Sequence, residues 1–547
     1  MKLVHKTIKS SAGMEMNMAR NNNGGYSIVL TADRTLMSEY GGGIFLGFSA
    51  CVPKGLISDR LYFSLFCPSV DVNEDGSPIV APCGTRKIEA ALIDYGFDEE
   101  DVFVAHPDHL EKAIGPRTKI LGITENDPLG MGPATSTFTQ IFGGEAYMAV
   151  KFREILNHPA VRRFKPKIIV GGPGAWQLEP PDIRSKLGID CVVVGEGERV
   201  VGPLFEKVIR GDRIPGVVYG EVVNVDEIPV IRAPTVSGIV EIARGCGRGC
   251  AFCTPTMLRY RCLPIDHILK EVKVNLKAGR QPLLHAEDVL RYGAKGVKVN
   301  PTAVIKLFKA VKGCEGVKSI SISHFALSSV MDAPELIEEL TAITGAEENR
   351  WMSGQTGIET GSPRLLRMHM AGKCKPFRPE DWPRVVVEAF ETLSENHWVP
   401  CATLIMGLPG ETEVDVELTI SLIEELRPFK SLIVPLFLVA MGRLRDRVKS
   451  FTLDDVTPKH CELLVKCWEH NLEWLPILLK EWSEMAIKNR VLRYGLTRIL
   501  MYGAKRVREV LQMCKREYHY DLQAMVRDFR SGRRDVLPLP VRLLLRA

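Results

Sequence analysis

Between residues 81 and 213, short apolar runs alternate with stretches whose apolar residues recur at helical spacing. The pattern predicts strands at 102–105, 119–124, 167–170 and 191–194, with helices at 87–95, 144–156 and 200–210. Apolar strands of this kind, separated by helices, imply a parallel sheet covered on both faces, a Rossmann-like unit. Ligands of such sheets bind at the carboxyl ends of the strands. Three loops lie there: Thr124 followed by Glu125-Asn126-Asp127, then Gly171-Gly172-Pro173-Gly174, then Gly195-Glu196-Gly197-Glu198.

A second series runs from 238 to 450. Strands are predicted at 238–243, 282–286, 319–323, 351–358 and 401–406, with helices at 266–276, 301–311, 334–341, 382–394 and 413–426. Repeating βα units point to a full or partial β/α barrel, with functional groups at the strand carboxyl ends. The two units are joined by a linker over 214–237, punctuated by Pro215, Pro229 and Pro234, in which 219–225 reads as a hairpin. Residues 451–547 read as helical and basic and are expected to cap the barrel mouth; Ser531–Arg534 and Leu537–Pro540 break that pattern. Residues 1–80 form an N-terminal extension. It holds the loop signal Asn21-Asn22-Asn23-Gly24-Gly25, a strand at 26–31 and a bend at Gly41-Gly42-Gly43.

Composition narrows the class. The chain has 547 residues, enough for two to four domains, and 45% apolar and 25% charged residues, as in globular proteins. A net charge of +5 is small for this length and does not argue for nucleic acid. The basic C-terminal region shows no aromatic-interleaved stripe of the sort nucleic-acid binders use, so no nucleic-acid partner is expected. There is no signal-peptide pattern at Met1 and no apolar run long enough for a bilayer, so a cytoplasmic protein with no membrane partner is expected. Fourteen cysteines then favour thiols and metal ligands over a disulfide framework. Cys51, Cys67 and Cys83 are too widely spaced for a motif and read as small buried hydrophobes.

Cys246, Cys250 and Cys253 are different. They stand at CxxxCxxC spacing after a strand, with Gly245, Gly247 and Gly249 interleaved. Glycines let the backbone curl so that three thiolates converge, and soft thiolates select zinc or an iron–sulfur cluster. A structural zinc site needs a fourth ligand, and Cys262, the near candidate, lies beyond the loop.

This motif, with Phe252 before the last cysteine, resembles the radical S-adenosylmethionine superfamily. The resemblance implies that Cys246, Cys250 and Cys253 hold a [4Fe-4S] cluster whose open iron chelates the methionine part of S-adenosylmethionine. It implies that the acidic motif His285-Ala286-Glu287-Asp288 binds the methionine amine, Glu287 first and Asp288 second. It places Ser323 near the ribose or substrate, with Ser321 and His324 beside it. The segments Gly354–Ser362, including Glu359, with Met368–Lys373, and Gly407–Thr412 extend the match as further cofactor loops. The Gly407 loop precedes a predicted helix and makes an anion-friendly corner.

The Rossmann-like unit resembles the cobalamin-binding domain that precedes many such barrels. Thr124, Gly171, Gly172, Pro173, Gly195, Glu196 and Gly197 are the implied cobalamin contacts. The Asp-x-His-x-x-Gly motif of other cobalamin proteins is absent, and His106 and His109 do not match it. The combination implies a C-methyltransferase for an unactivated carbon, fed by an external ferredoxin or flavodoxin, with a protein or peptide substrate. The chain is similar to archaeal members, including those that methylate a glutamine of methyl-coenzyme M reductase. A tRNA methylthiotransferase, a cobalamin-dependent radical cyclase and a metal or cobalamin sensor are the alternatives.

Overall fold

The computed structural model describes residues 24–40, 44–56, 58–254, 258–487 and 489–531. Asn21–Asn23, the Gly41–Gly43 bend and the breaker residues from Gly532 onward lie outside them.

The first sheet has six parallel strands: β1 Ile28–Ala32, β2 Val102–Val104, β3 Ile120–Thr124, β4 Lys167–Gly171, β5 Cys191–Gly195 and β6 Val217–Gly220, in the order β2-β1-β3-β4-β5-β6. Alternate residues of β1 serve two cores. Ile28, Leu30 and Ala32 pack with Leu92, Leu204 and Phe205 of the helices Cys83–Tyr95 and Val201–Arg210. Val29 packs with Phe152, Ile155 and Val161 of the helices Tyr147–Leu156 and Pro159–Phe164 on the other face. That double burial is why the strands read as unbroken apolar runs.

Two boundaries differ from expectation. β1 lies at the heart of the sheet, so the Rossmann-like unit begins well before residue 81; the long segment between β1 and β2 hides this in the sequence. In place of the expected hairpin at 219–225, Tyr219 and Gly220 end the parallel edge strand β6, paired with β5, and the chain then runs without strand to a helical turn at Val225–Glu227.

The second unit contains β7 Ile239–Glu241, β8 Ala243–Arg244, β9 Arg261–Cys262, β10 Leu283–His285, β11 Ser321–Ile322, β12 Met352–Glu359, β13 Trp398–Met406 and β14 Leu432–Phe437. β7-β10-β11 and β12-β13-β14 are parallel, and a parallel bridge between His324 and Gln355 joins them into a partial barrel. β8 and β9 form an antiparallel ribbon that carries the cysteine loop. β14 is absent from the sequence reading because Pro435 interrupts its run. Proline is tolerated there because β14 is an edge strand.

That edge is covered from two sides. Asn471, on the helix Pro458–Ala486, brackets Ile433: its Oδ1 accepts from Ile433 N and its Nδ2 donates to Ile433 O, both at 2.7 Å. Phe437 N donates to Thr137 Oγ1 at 2.8 Å, from the helix Pro133–Phe142 of the first unit. The helix Pro458–Ala486 therefore lines the barrel's open edge, and its first turn reaches the mouth, where His460 Nε2 lies 3.0 Å from Glu411 Oε2 in the loop after β13. Asn471→Leu should orphan both backbone groups of Ile433 and lower stability by about 2–4 kcal/mol, measured by denaturant unfolding.

Candidate functional site

The cysteine loop leaves β8 through Gly245, whose φ is +73°. A Cβ there would meet the carbonyls of Leu258 and Arg259 at 2.7 Å, so the curl of the loop requires glycine. All three thiols are free; Cys250 is buried and Cys246 and Cys253 half-buried. Neighbours fix the loop from several sides: Ala251 N donates to His369 O, Arg443 N to Ala251 O, and Arg291 Nη1 to Cys246 O, each at 2.8 Å. Burial raises the Cys246 thiol, opposed by a hydrogen bond from the Arg248 backbone N–H and by the Arg248 and Arg291 guanidiniums. Burial raises Cys250 as well, opposed by the ammonium of Lys373.

Among the described residues no three His, Cys, Asp or Glu side chains converge on a single ion. A cluster held by three thiolates on separate irons asks for a different arrangement, and this loop fits it. Its thiols are uncrosslinked, one accepts a backbone N–H, and three cations offset thiolate charge. Cys262 is not a fourth ligand: it contacts Tyr260 OH and accepts from Gly293 N, both at 3.2 Å.

Arg248, inside the loop, makes a buried knot. Its Nη2 donates to Asp288 Oδ2 at 2.9 Å and Ser329 Oγ at 2.8 Å, while Nη1 reaches the carbonyls of Gly372, Lys373 and Lys375 at 3.4, 3.2 and 3.1 Å. Asp288 also accepts from Ser329 Oγ at 2.7 Å and Ala326 N at 3.2 Å. Gly372 approaches so closely that a Cβ would lie 1.8 Å from Arg248 O. Asp288, expected as a second ligand for a methionine amine, is thus committed to holding the loop. Glu287 is half-buried and raised by burial, and it makes no hydrogen bond or ion pair among the described residues. Of the two adjacent carboxylates it is the one without a partner among the described residues.

The remaining barrel residues divide the same way. Ser323 Oγ lies 2.9 Å from His285 Nδ1 and 3.3 Å from Ala286 O. His324 is half-buried and held neutral, desolvation lowering its pKa to about 4. Glu359 sits at φ +64°, a left-handed conformation costly for a side-chain residue, and its carboxylate meets Lys373 Nζ at 2.8 Å and Thr403 Oγ1 at 3.2 Å. It positions the lysine beside Cys250 rather than standing free for a cofactor. Gly407 is packed against Phe451, 2.0 Å from the position of a Cβ, and its N donates to Glu411 Oε2 at 2.6 Å. The expected anion corner after it is already capped: Asp415 Oδ2 accepts from Thr412 N at 2.8 Å and Oγ1 at 2.6 Å.

On the first unit, several of the expected cofactor contacts have close protein neighbours. Cβ atoms on Gly172 and Gly195 would meet Glu125 O at 2.6 Å and Gly220 O at 2.4 Å, and one on Gly197 would meet Ile88 at 2.7 Å. Glu196 pairs with Arg261 and accepts from Val223 N at 3.0 Å, and Glu198 meets Arg244 at 2.7 Å. These carboxylates clamp the carboxyl-end loop of β5 onto the β8–β9 ribbon that bears the cysteines. Arg445 adds a second clamp, with its guanidinium paired to Glu179 and lying 5.4 Å from the Trp176 ring, while neighbouring Arg443 donates to Gly249 O. Thr124 and Gly171 stay half-buried and Pro173 exposed at the same end of the sheet.

The strand order reverses between β1 and β3, which makes the crevice beyond their carboxyl ends the ligand position of this sheet. The sequence reading missed Asp33 there, having left β1 outside the unit. Asp33 Oδ1 accepts from Thr35 N and Oγ1, both at 2.6 Å. Among the described residues Asp33 Oδ2 and both oxygens of buried Glu125 find no other donor, and the two carboxyls lie against each other. Burial raises Asp33 to about 6, and burial with the neighbouring Asp33 charge raises Glu125 further. Raised carboxyls favour the fold below pH 3.8, the ordinary Asp value, and that advantage is lost as pH rises through about 6. Glu125→Gln should therefore raise the unfolding midpoint at about pH 7.5, by an amount on the order of 1–3 kcal/mol, and change it little at about pH 4.5.

The radical SAM superfamily profile matches residues 240–423, so the second unit is a radical S-adenosylmethionine domain. A solved structure of TsrM, a radical S-adenosylmethionine methyltransferase from Kitasatospora setae with cobalamin and a [4Fe-4S] cluster bound, is similar with a TM-score of 0.51 at 15% identity, covering 77% of each chain. That likeness is one of fold, and it spans both α/β units. The tRNA-2-methylthio-N(6)-dimethylallyladenosine synthase of Orientia tsutsugamushi (strain Ikeda) is 24% identical over 201 residues, 36% of this chain and 42% of that one. An uncharacterised protein of Methanopyrus kandleri is 27% identical over 322 residues, 49% of this chain and 58% of that one. The ribosomal protein uS12 methylthiotransferase RimO of Kineococcus radiotolerans is 29% identical over 196 residues, 34% of this chain and 36% of that one. The chain thus spans 42% to 58% of the length of the first and second of these relatives. No described helix is long and apolar enough to cross a membrane.

Proposed function

We propose that this chain is a cobalamin-dependent radical S-adenosylmethionine enzyme that C-methylates an unactivated carbon of a protein or peptide. The observation that carries this reading is the clamp of Glu196 and Glu198 on Arg261 and Arg244. It sets the carboxyl-end loops of a flavodoxin-like sheet against the ribbon bearing the three cysteines. When bound, a [4Fe-4S] cluster, S-adenosylmethionine and cobalamin supply an electron, hydrogen-atom abstraction and a methyl group. The chain's own residues hold and orient. Cys246, Cys250 and Cys253 ligate iron, Arg248 and Asp288 fix their loop, and Glu287 receives the methionine amine. Asp33, Thr124, Gly171 and Pro173 border the corrin side. An external ferredoxin or flavodoxin is the electron source.

A methylthiotransferase reading has support from the named relatives, but it calls for three more cysteines together. Cys51 faces Thr135, Cys67 lies by Arg34 and Tyr62, and Cys83 lies by Lys87 and Glu271, so the three have separate surroundings. Anaerobic reconstitution with iron, sulfide and hydroxocobalamin tests the proposal. About four irons together with bound corrin support it, and a cluster without corrin overturns it. Transfer of a deuterated methyl group to peptides is then assayed, beginning with a glutamine peptide of methyl-coenzyme M reductase.

A further inference from the structure

The helix Arg490–Arg516 carries eight Lys and Arg residues against one Glu, an excess larger than the +5 of the whole chain. No acidic residue occurs between Met485 and Arg508. One side of the helix is anchored. Leu496, Leu511 and Cys514 are buried, Arg508 Nη2 donates to Leu472 O at 3.2 Å, and Lys515 pairs with Glu469. The other side is open: Val491, Tyr494, Ile499 and Tyr502 are 82%, 63%, 59% and 44% exposed. Tyr494, Arg498 and Tyr502 follow one another at four-residue spacing and so share that face. The Arg498 guanidinium lies 5.6 Å from the Tyr494 ring centre and donates to its hydroxyl at 2.7 Å. The ion pairs of this helix involve Arg506 and Lys515; among the described residues Arg490, Arg493, Arg498 and Lys505 meet no carboxylate.

We infer that this face binds single-stranded RNA, a property separate from the methyl-transfer reading. The unneutralised cations attract a polyanion. The two exposed tyrosines on either side of Arg498 distinguish among polyanions, because unpaired bases stack on tyrosine and arginine planes. A lipid surface favours an apolar stripe with its cations at the flanks, whereas Arg498 stands between the two tyrosines. Duplex DNA hides the faces of its bases, and an acidic protein surface would explain the charge without the alternation. This corrects the expectation of no aromatic-interleaved stripe in the basic C-terminal region, since Tyr494, Arg498 and Tyr502 stand at four-residue spacing.

The test uses the full chain and a fluorescein-labelled single-stranded oligoribonucleotide of about a dozen uridines, followed by anisotropy over a range of salt. Binding should weaken with salt, with a log–log slope of about −0.7 per phosphate contact. Tyr494→Ala with Tyr502→Ala should weaken it about tenfold or more at fixed salt and leave the slope unchanged, while the paired Phe substitutions retain binding. Arg498→Ala should reduce both affinity and slope. Three results overturn the inference: no binding at low salt, equal binding by the double-alanine variant with its iron content intact, or tighter association with phosphatidylglycerol vesicles or with the matching deoxyoligonucleotide.

Discussion

Cys250→Ala, reconstituted anaerobically, should lose its bound iron almost entirely, from about four irons per chain to fewer than about one. The reason lies in what surrounds the thiol. Cys250 is the buried member of the three, and the Lys373 ammonium, itself paired with Glu359, stands next to it. A thiolate there completes a charge balance among Arg248, Arg291, Lys373 and the carboxylates; an alanine leaves two half-buried thiols that water and chelators can reach. S-adenosylmethionine cleavage should fall below detection with the iron. The fold should survive, because Ala251 and Arg443 keep their backbone bonds on either side of the turn. Cys262→Ala is the control and should retain iron, since that thiol contacts Tyr260 and Gly293 instead. Iron retained by the Cys250 variant, or lost by the Cys262 variant, would mean that the ligand set is misassigned.

The contrast between these cysteines shows what was readable in the chain. A ligand triplet is a local pattern, and so are the apolar strands and amphipathic helices, which fall within a few residues of their predicted positions. Long-range pairing is not local. β1 enters the middle of the first sheet although the whole segment from 33 to 101 separates it from β2, and β14 hides behind Pro435. Glycines misled for a related reason. Their freedom is visible in sequence, but the backbone neighbours that require glycine at Gly172 and Gly195, Glu125 and Gly220, are known only from the fold. Glu196, Glu359 and Asp288 were legible as polar groups at strand ends; their partners Arg261, Lys373 and Arg248 come from distant segments and could be known only from the fold. Buried Asp33 and Glu125 add a cost at the crevice that local propensity does not reveal.

The adjacent carboxylates Glu287 and Asp288 should separate cleanly by substitution. Asp288→Ala removes one partner of a buried ion pair, in which Arg248 is 6% and Asp288 3% exposed. Breaking such a pair leaves an uncompensated charge and costs about 3–5 kcal/mol. The loss should appear as a lower unfolding midpoint and as weakened cluster binding with all three cysteines intact, because Arg248 is also the residue that ties the loop to the carbonyls of Gly372, Lys373 and Lys375. Arg248→Met paired with Asp288→Leu should recover only the part owed to the uncompensated charge, because the carbonyls of Gly372, Lys373 and Lys375 still lose their donor. Glu287→Gln should do the opposite on every count. With no partner to lose, it should keep the midpoint and the iron, and it should weaken S-adenosylmethionine binding by about tenfold or more through the loss of a charge-assisted contact, read by calorimetric titration of the reconstituted protein. If Glu287→Gln bound S-adenosylmethionine as tightly as the unaltered chain while Asp288→Asn did not, the amine would sit on Asp288. The Arg248 knot would then have to open when the cofactor enters, and the division between holding and binding residues would be reversed.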